Sequence, residues 1–237
     1  MVTISPETAY TIASFLFVFI CLAAWKIFKK FTAKRDTILI VGLPESGKTQ
    51  LFSRLVRKDN GIESYGSIKE NIFSGIALNQ SQESKIVDYP GALRLRTRLF
   101  DTWLTTERSS LKGICLVVDA LTYQKKARDI AEIVYDIIVY SKKSVPIFIA
   151  CNEQNDKGIC KSAEVIFNGI QNDLGLINKS RQASLETTDG EDKVDLLSEN
   201  GESFKWADLG GLFVSFGKFE IGETLNLTEV TDWMSVL

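Results

Sequence analysis

An α/β domain with a mostly parallel central sheet, preceded by one transmembrane helix, is the architecture predicted by this 237-residue sequence. Three observations carry that expectation. An uncharged run of 18 residues, Thr8 to Trp25, opens the chain. The stretch ILIVGLPESGKTQLF, Ile38 to Phe52, sets a glycine-rich turn between an apolar run and a helical pattern. Further apolar runs then alternate with helical periodicity, the signature of a sheet covered by helices. The length suits one good core with an appendage.

Composition narrows the chemistry. With 28 basic against 30 acidic residues, the net charge of -2 supplies no global field toward nucleic acid, and no direct nucleic-acid readout is expected. The chain has no histidine, which excludes Ser-His-Asp and Cys-His catalysis. Cys21, Cys115, Cys151 and Cys160 show no CxxC spacing, so neither a typical zinc site nor a disulfide scaffold is expected. They read as buried thiols in a reducing compartment.

The N-terminal apolar run, extended to Phe28, gives about 30 Å of helix, enough to cross a bilayer. Lys26, Lys29, Lys30, Lys34 and Arg35 all follow it, whereas only Glu7 precedes it. Positive-inside logic puts the short tail in the lumen and the rest in the cytosol. A cleaved secretory signal has the opposite charge order. The expected organisation is a lumenal tail at 1–9, a transmembrane helix at 10–28 with Tyr10 and Trp25 as interfacial residues, a linker at 29–36 and a domain at 37–237.

The domain opens on a buried strand, TILIVG, and Gly42 to Thr49 then satisfies the spacing GxxxxGKS/T. Glycines let backbone N–H groups turn inward around an anion, and the following helix adds its positive end. That helix, near Lys48–Arg57, turns Leu51, Leu55 and Val56 toward a sheet. Pro44, Glu45, Ser46, Gly47, Lys48, Thr49 and Gln50 are therefore candidate residues for binding a nucleoside di- or triphosphate. Lys48 is expected to reach the β- and γ-phosphates and Thr49 to ligate Mg²⁺.

About forty residues downstream, SKIVDYPG ends a strand in Asp88-Tyr89-Pro90-Gly91. An Asp there holds Mg²⁺ through water, and the Gly91 N–H touches a γ-phosphate whose loss releases the segment. With the glycine-rich loop, this spacing predicts the P-loop small-GTPase fold. Between the two motifs a hydroxyl must close on the metal. Ser67 is the candidate, followed by a strand over Ile72–Leu78, with Ser64 and Ser74 as alternatives.

Gly113–Ala120 reads as a buried parallel strand. A helix over about Gln124–Ser141 follows, burying Ala127, Ile130, Ala131, Val134 and Ile137. VPIFIACNEQND is the next strand, ending in a polar cluster at the sheet edge where ligands bind in open α/β sheets. Guanine-specific proteins carry NKxD there, but this chain has Asn152-Glu153-Gln154-Asn155, then Asp156. An amide at position 155 loses one of two acceptors for guanine, worth about 1–3 kcal/mol. Asp156 restores it only if the backbone slips by one residue.

The whole pattern resembles the signal recognition particle receptor beta subunit family, Arf-like GTPases with their own membrane helix. It rests on the N-terminal anchor, GLPESGKT, DYPG, ACNEQND, the helix KSAEVIFNGIQNDLGLINKSRQASL and WADLGGLFVSF. The resemblance implies GTP and Mg²⁺ as cofactors and the receptor alpha subunit as partner at the endoplasmic reticulum membrane, with the ribosome or translocon nearby. It also implies nucleotide-binding roles for Asn152, Asn155 and Asp156, and for Ser215 and Phe216, which stand where the family pattern is Ser-Ala-Lys. Metal binding falls to Thr49, Ser67 and Asp88.

The residue after Gly91, which orients the attacking water in Ras-like proteins, is Ala92, so very slow hydrolysis is expected and no catalytic residue is assigned. Arg94, Arg96 and Arg98 read as the solvated face of a switch helix, with a contact to the alpha subunit as the alternative. The segment Thr187–Glu202 reads as an acidic solvated loop. Val230, Trp233 and Val236 read as the core face of a final helix. An active Arf- or Sar-like coat GTPase is the main alternative, opposed by the built-in anchor and by Val2, where myristoylation requires glycine. A membrane-attached ATPase or kinase is the third, opposed by the position of DYPG.

Overall fold

A computed structural model describes residues 12, 15–22, 24–25, 35–57, 68–79, 82–153, 160–187, 196–197, 204–222 and 225–237. The chain separates into two compact units, Met1–Arg35 and Asp36–Leu237. In the first, residues 15–22 and 24–25 are helical, and Phe15, Phe17, Phe19 and Trp25 are exposed. No helix among the described residues is long and apolar enough to cross a membrane. Most of the flanks of the expected 10–28 helix, including Tyr10, lie outside the described residues.

In the second unit, strand-forming runs build a seven-stranded sheet of order β2-β3-β1-β4-β5-β6-β7. The strands are β1 (Thr37–Val41), β2 (Asn71–Asn79), β3 (Gln82–Asp88), β4 (Leu111–Asp119), β5 (Ile147–Asn152), β6 (Val214–Ile221) and β7 (Leu225–Asn226). β3, β1, β4, β5 and β6 run parallel, while β2 and the two-residue β7 are antiparallel to their neighbours. β1 and β5 are buried at every position, which follows from their continuous apolar sequences.

Alternation sorts the side chains onto two faces. Leu39, Val41, Leu116, Val118, Ile149 and Cys151 join one core with α3 (Tyr123–Tyr140) and α4 (Ala163–Thr187). Ile38, Ile40, Cys115, Val117, Phe148 and Ala150 join the other, against α1 (Lys48–Arg57) and α5 (Thr228–Val236). α1 buries Leu51 and packs Leu55 on that second core. α3 buries Ile130, Ala131, Val134 and Ile137 as its periodicity requires, with Ile133, Tyr135 and Ile138 besides.

Between β3 and β4 lies a composite helix: a 3-10 turn at Leu93–Leu95, the α-turn α2 (Arg96–Leu99) and a π-helical stretch at Phe100–Thr106. It buries Leu99, Phe100, Trp103 and Leu104.

Three expectations are corrected. Val236 is 86% exposed, and Met234, one turn after Val230, takes its place in the core. Trp233 is partly buried and stacks on Phe148 at 5.1 Å. Of the four free cysteines, Cys115 and Cys151 are buried, but Cys21 is exposed and Cys160 is partly so. The acidic loop has one described anchor, the buried Leu197. Its N–H donates to Asn178 Oδ1 at 2.9 Å, and its carbonyl accepts from Lys143 Nζ at 3.0 Å.

Candidate nucleotide and metal site

The C-terminal ends of β1, β3 and β5 bring the site together, because parallel strands deliver their loops to one sheet edge. From β1 the chain enters the loop with Gly42 at φ 149°, Glu45 at φ 63° and Gly47 at φ 94°. A Cβ on Gly42 would collide with the Val117 carbonyl, and one on Gly47 would stand 2.5 Å from Asn152 Nδ2. Glycine is required at both positions by conformation and by space. Glu45 adopts the left-handed region without that freedom, a strain of the kind found at ligand-binding turns.

Lys48 and Thr49 open α1. The Lys48 ammonium is buried and donates to the Leu43 carbonyl at 2.6 Å, spanning the loop that precedes it. Burial brings its pKa down to about 8, partly opposed by Asp88 and reinforced by Lys126. Thr49 Oγ1 donates to Asp88 Oδ2 at 2.8 Å, and Asn71 Nδ2 donates to the same oxygen at 3.0 Å. Burial pushes the Asp88 carboxyl up from its ordinary range, against those two hydrogen bonds and Lys48. Its second oxygen, Oδ1, is buried and has no hydrogen-bond partner among the described residues.

These features fit a phosphate and a cation. A buried ammonium in the first turn of α1, bonded back across the glycine-bearing loop, suits an anion at that helix start. The hydroxyl of Thr49, donating to Asp88, keeps its lone pairs for a metal, and the orphaned Asp88 Oδ1 is a second hard ligand. Among the described residues no group of three or more His, Cys, Asp or Glu gathers to hold a metal alone. A Mg²⁺ here would depend on phosphate oxygens, as that ion commonly does.

Gly91 lies close against the loop: a Cβ there would stand 2.7 Å from Gly42 O and from Pro44 N. Ala92 adopts extended backbone and brings no polar group. Arg96, read as solvated, is only half-exposed and lines a small cavity with Gly42, Gly91 and Ala92. Arg94 and Arg98 are exposed.

The base-side residues divide. Asn152 is buried, and its Nδ2 donates to the Ser46 carbonyl at 3.3 Å, while its Oδ1 has no partner among the described residues. Asn155 and Asp156 lie outside the described residues. Glu153, in the lysine position of NKxD, accepts from the Ala163 N–H at the start of α4 at 3.3 Å and pairs with Lys218 at 3.7 Å. Its acidity therefore serves a helix start.

Ser215 and Phe216 are not brought to Asn152. The register sets Phe219 level with Asn152 and Ser215 level with Phe148, four positions earlier on β6, or about 13 Å along a strand. Phe216 stacks on Phe167 of α4 at 4.4 Å instead. The Ser-Phe-Gly-Lys match was misleading because β6 runs on past it to Ile221. Ser67 and Ser64 lie outside the described residues, and Ser74 sits mid-strand, opposite Lys85 rather than Asp88. Asn71 was missed: it belongs to no motif, and only the β2–β3 register sets it opposite Asp88.

Loop, lysine, Thr49–Asp88 pair and strand order define a P-loop domain of the small-GTPase class. The family model for the signal recognition particle receptor beta subunit matches residues 33–212. The chain belongs to that family. It is 29% identical over 213 residues to the human signal recognition particle receptor subunit beta, covering 86% of this chain and 75% of the relative. The Dictyostelium discoideum protein of the same name is 27% identical, with 73% and 59% covered. Among solved structures, the mammalian SRP receptor is similar with a TM-score of 0.71 and 26% identity, covering 84% of this chain and 98% of that one. The GDP-bound receptor beta protein from Chaetomium thermophilum shares the fold at TM-score 0.65 and 19% identity, covering 86% and 98%.

Proposed function

We propose that this chain is the membrane-anchored, guanine-nucleotide-binding beta subunit of a signal recognition particle receptor. It holds GTP and Mg²⁺ and recruits the alpha subunit to the endoplasmic reticulum for co-translational targeting. The observation that carries the nucleotide reading is the buried Asp88 carboxylate, which shares Thr49 and Asn71 on one oxygen and leaves the other unpartnered. Family membership supports the partner reading.

In this reading Lys48 and the loop N–H groups hold the phosphates, Thr49 and Asp88 hold the metal with Ser67, and Asn152 braces the loop under the base, with Asn155 and Asp156 reading it. Bound Mg²⁺ neutralises phosphate charge and fixes the triphosphate. Ala92 leaves the attacking water unoriented, so GTP persists and the protein acts as a nucleotide-dependent dock. Ile68, Ile72, Phe73 and Leu93 are exposed on the segments before and within β2 and after Gly91, apolar side chains available to a partner subunit. The apolar run ending at Trp25, followed by its lysines, anchors the assembly with the domain in the cytosol.

The direct test is to purify the chain without added nucleotide, denature it and identify what is released. Stoichiometric guanine nucleotide is expected. Binding of the alpha subunit should be stronger with a GTP analogue than with GDP, and Lys48→Ala should erase that difference. Equal binding in all states would replace the switch by a constitutive anchor.

A further inference from the structure

Asp88 is held by two donors of different origin. Thr49 comes from the phosphate-loop motif. Asn71 comes from the first residue of an edge strand and is assigned no role by any motif. Antiparallel pairing sets Asn71 directly opposite Asp88, so both side chains emerge on one face of the sheet within reach of each other. The amide donates to Oδ2 at 3.0 Å, beside the 2.8 Å bond from Thr49, which leaves Oδ1 as the oxygen without a partner.

We propose that Asn71 is a positioning residue for Mg²⁺. Two donors on one oxygen fix the carboxylate plane and reserve the other oxygen for a cation. A neutral amide does this without the repulsion that a lysine or arginine at the same place would exert on a dication. It also leaves the carboxylate its full charge. The placement is reinforced from the preceding residue: Glu70 Oε2 accepts from Trp103 Nε1 at 2.9 Å, and Trp103 is buried in the π-helical stretch. Lys85 lies 5.0 Å from the centre of the same ring. The start of β2 is thus pinned to the helix that follows Gly91, and Asn71 inherits a fixed position from it.

This inference rests on the nucleotide reading above, and its test separates the two. The full chain is loaded with a fluorescent GDP, and nucleotide release is followed across Mg²⁺ concentrations and in excess EDTA. Asn71→Ala and the similarly sized Asn71→Leu should both raise the Mg²⁺ concentration for half-maximal retention by about tenfold or more, the scale of a lost hydrogen bond to a charged group. Release in EDTA should match the wild-type rate. Equal acceleration with and without Mg²⁺, or loss of folded protein in both variants, would assign Asn71 to the fold and overturn the proposal. An unchanged Mg²⁺ requirement would overturn it as well. Failure of the wild-type chain to retain the nucleotide at any Mg²⁺ concentration would instead sink the nucleotide reading itself.

Discussion

Gly91→Ala is the sharpest probe of how the two phosphate-side loops are packed. The added Cβ meets three backbone atoms of the opposing loop: Gly42 O and Pro44 N at 2.7 Å and Leu43 C at 2.8 Å. Ordinary contact begins near 3.4 Å, so the loops must part by about 0.7 Å, and none of the three atoms belongs to a side chain that can turn away. Overpacking against rigid neighbours costs about 1–3 kcal/mol. In a domain of this size, at roughly 2–4 °C per kcal/mol, the melting temperature should fall by about 2–12 °C. The same displacement moves the cradle around Lys48, so GDP affinity should drop by about tenfold, in line with the steep cost of misplacing a binding group. Scanning calorimetry and titration with fluorescent GDP measure the two effects. A variant with wild-type melting temperature and affinity would refute the close approach of Gly91 to the loop.

Other expectations follow from the same geometry. Ser215→Ala should leave nucleotide affinity within about twofold of wild type, because its strand position is remote from Asn152, whereas Asn152→Ala should weaken it about tenfold by losing a buried hydrogen bond to the loop. The two substitutions, compared by GDP titration, decide where the base-side wall lies. Burial brings the Lys48 pKa down to about 8 against an ordinary 10.5, so at this residue the unfolded chain holds the proton more tightly above pH 8. The Lys48 contribution to stability without nucleotide should therefore grow between about pH 8 and 10, against the falling contribution of the buried Cys115 and Cys151 thiols, so in urea titrations the wild type should gain on Lys48→Met over that range. Asn178→Ala removes the acceptor shared by Tyr135 Oη and the Leu197 N–H, and should cost about 1–3 kcal/mol in urea denaturation. Cys115, its thiol pushed up to about 12 by burial, and the buried Cys151 should resist alkylation in the folded protein and become labelled once it is unfolded in urea; mass spectrometry of labelled peptides reads this directly.

The parts of the molecule legible in the sequence are those set by local rules. The loop from Gly42 to Thr49 could be read because its glycines answer to φ and to close backbone approach, and both demands are visible in the spacing. β1, β4 and β5 could be read because strands covered on both faces are apolar throughout. What escaped depends on register, which one residue can shift. Ser215 looked like a base contact by sequence likeness, but β6 continues six residues beyond it, and the residue level with Asn152 is Phe219. Asn71 was invisible for the converse reason: its partner Asp88 is 17 positions away, joined only by hairpin pairing. Glu153 reads as a damaged base motif until α4 is in place, and then as the acceptor for the first N–H of that helix. In α5, helical spacing alone does not distinguish Met234 from Val236; only the direction from which the sheet approaches does.

The π-helical stretch at Phe100–Thr106 also bears on alignment. A π turn closes each hydrogen-bonded ring over five residues where an α turn uses four, so it behaves as a one-residue insertion absorbed without breaking the helix. Against a helix that is α throughout, side chains after that stretch point about one residue out of phase. Residue roles transferred by counting from Gly91 drift out of phase there, on the segment that carries Trp103. Deleting one residue from the stretch should recover α geometry and rotate Trp103 away from Glu70, breaking the hydrogen bond between them.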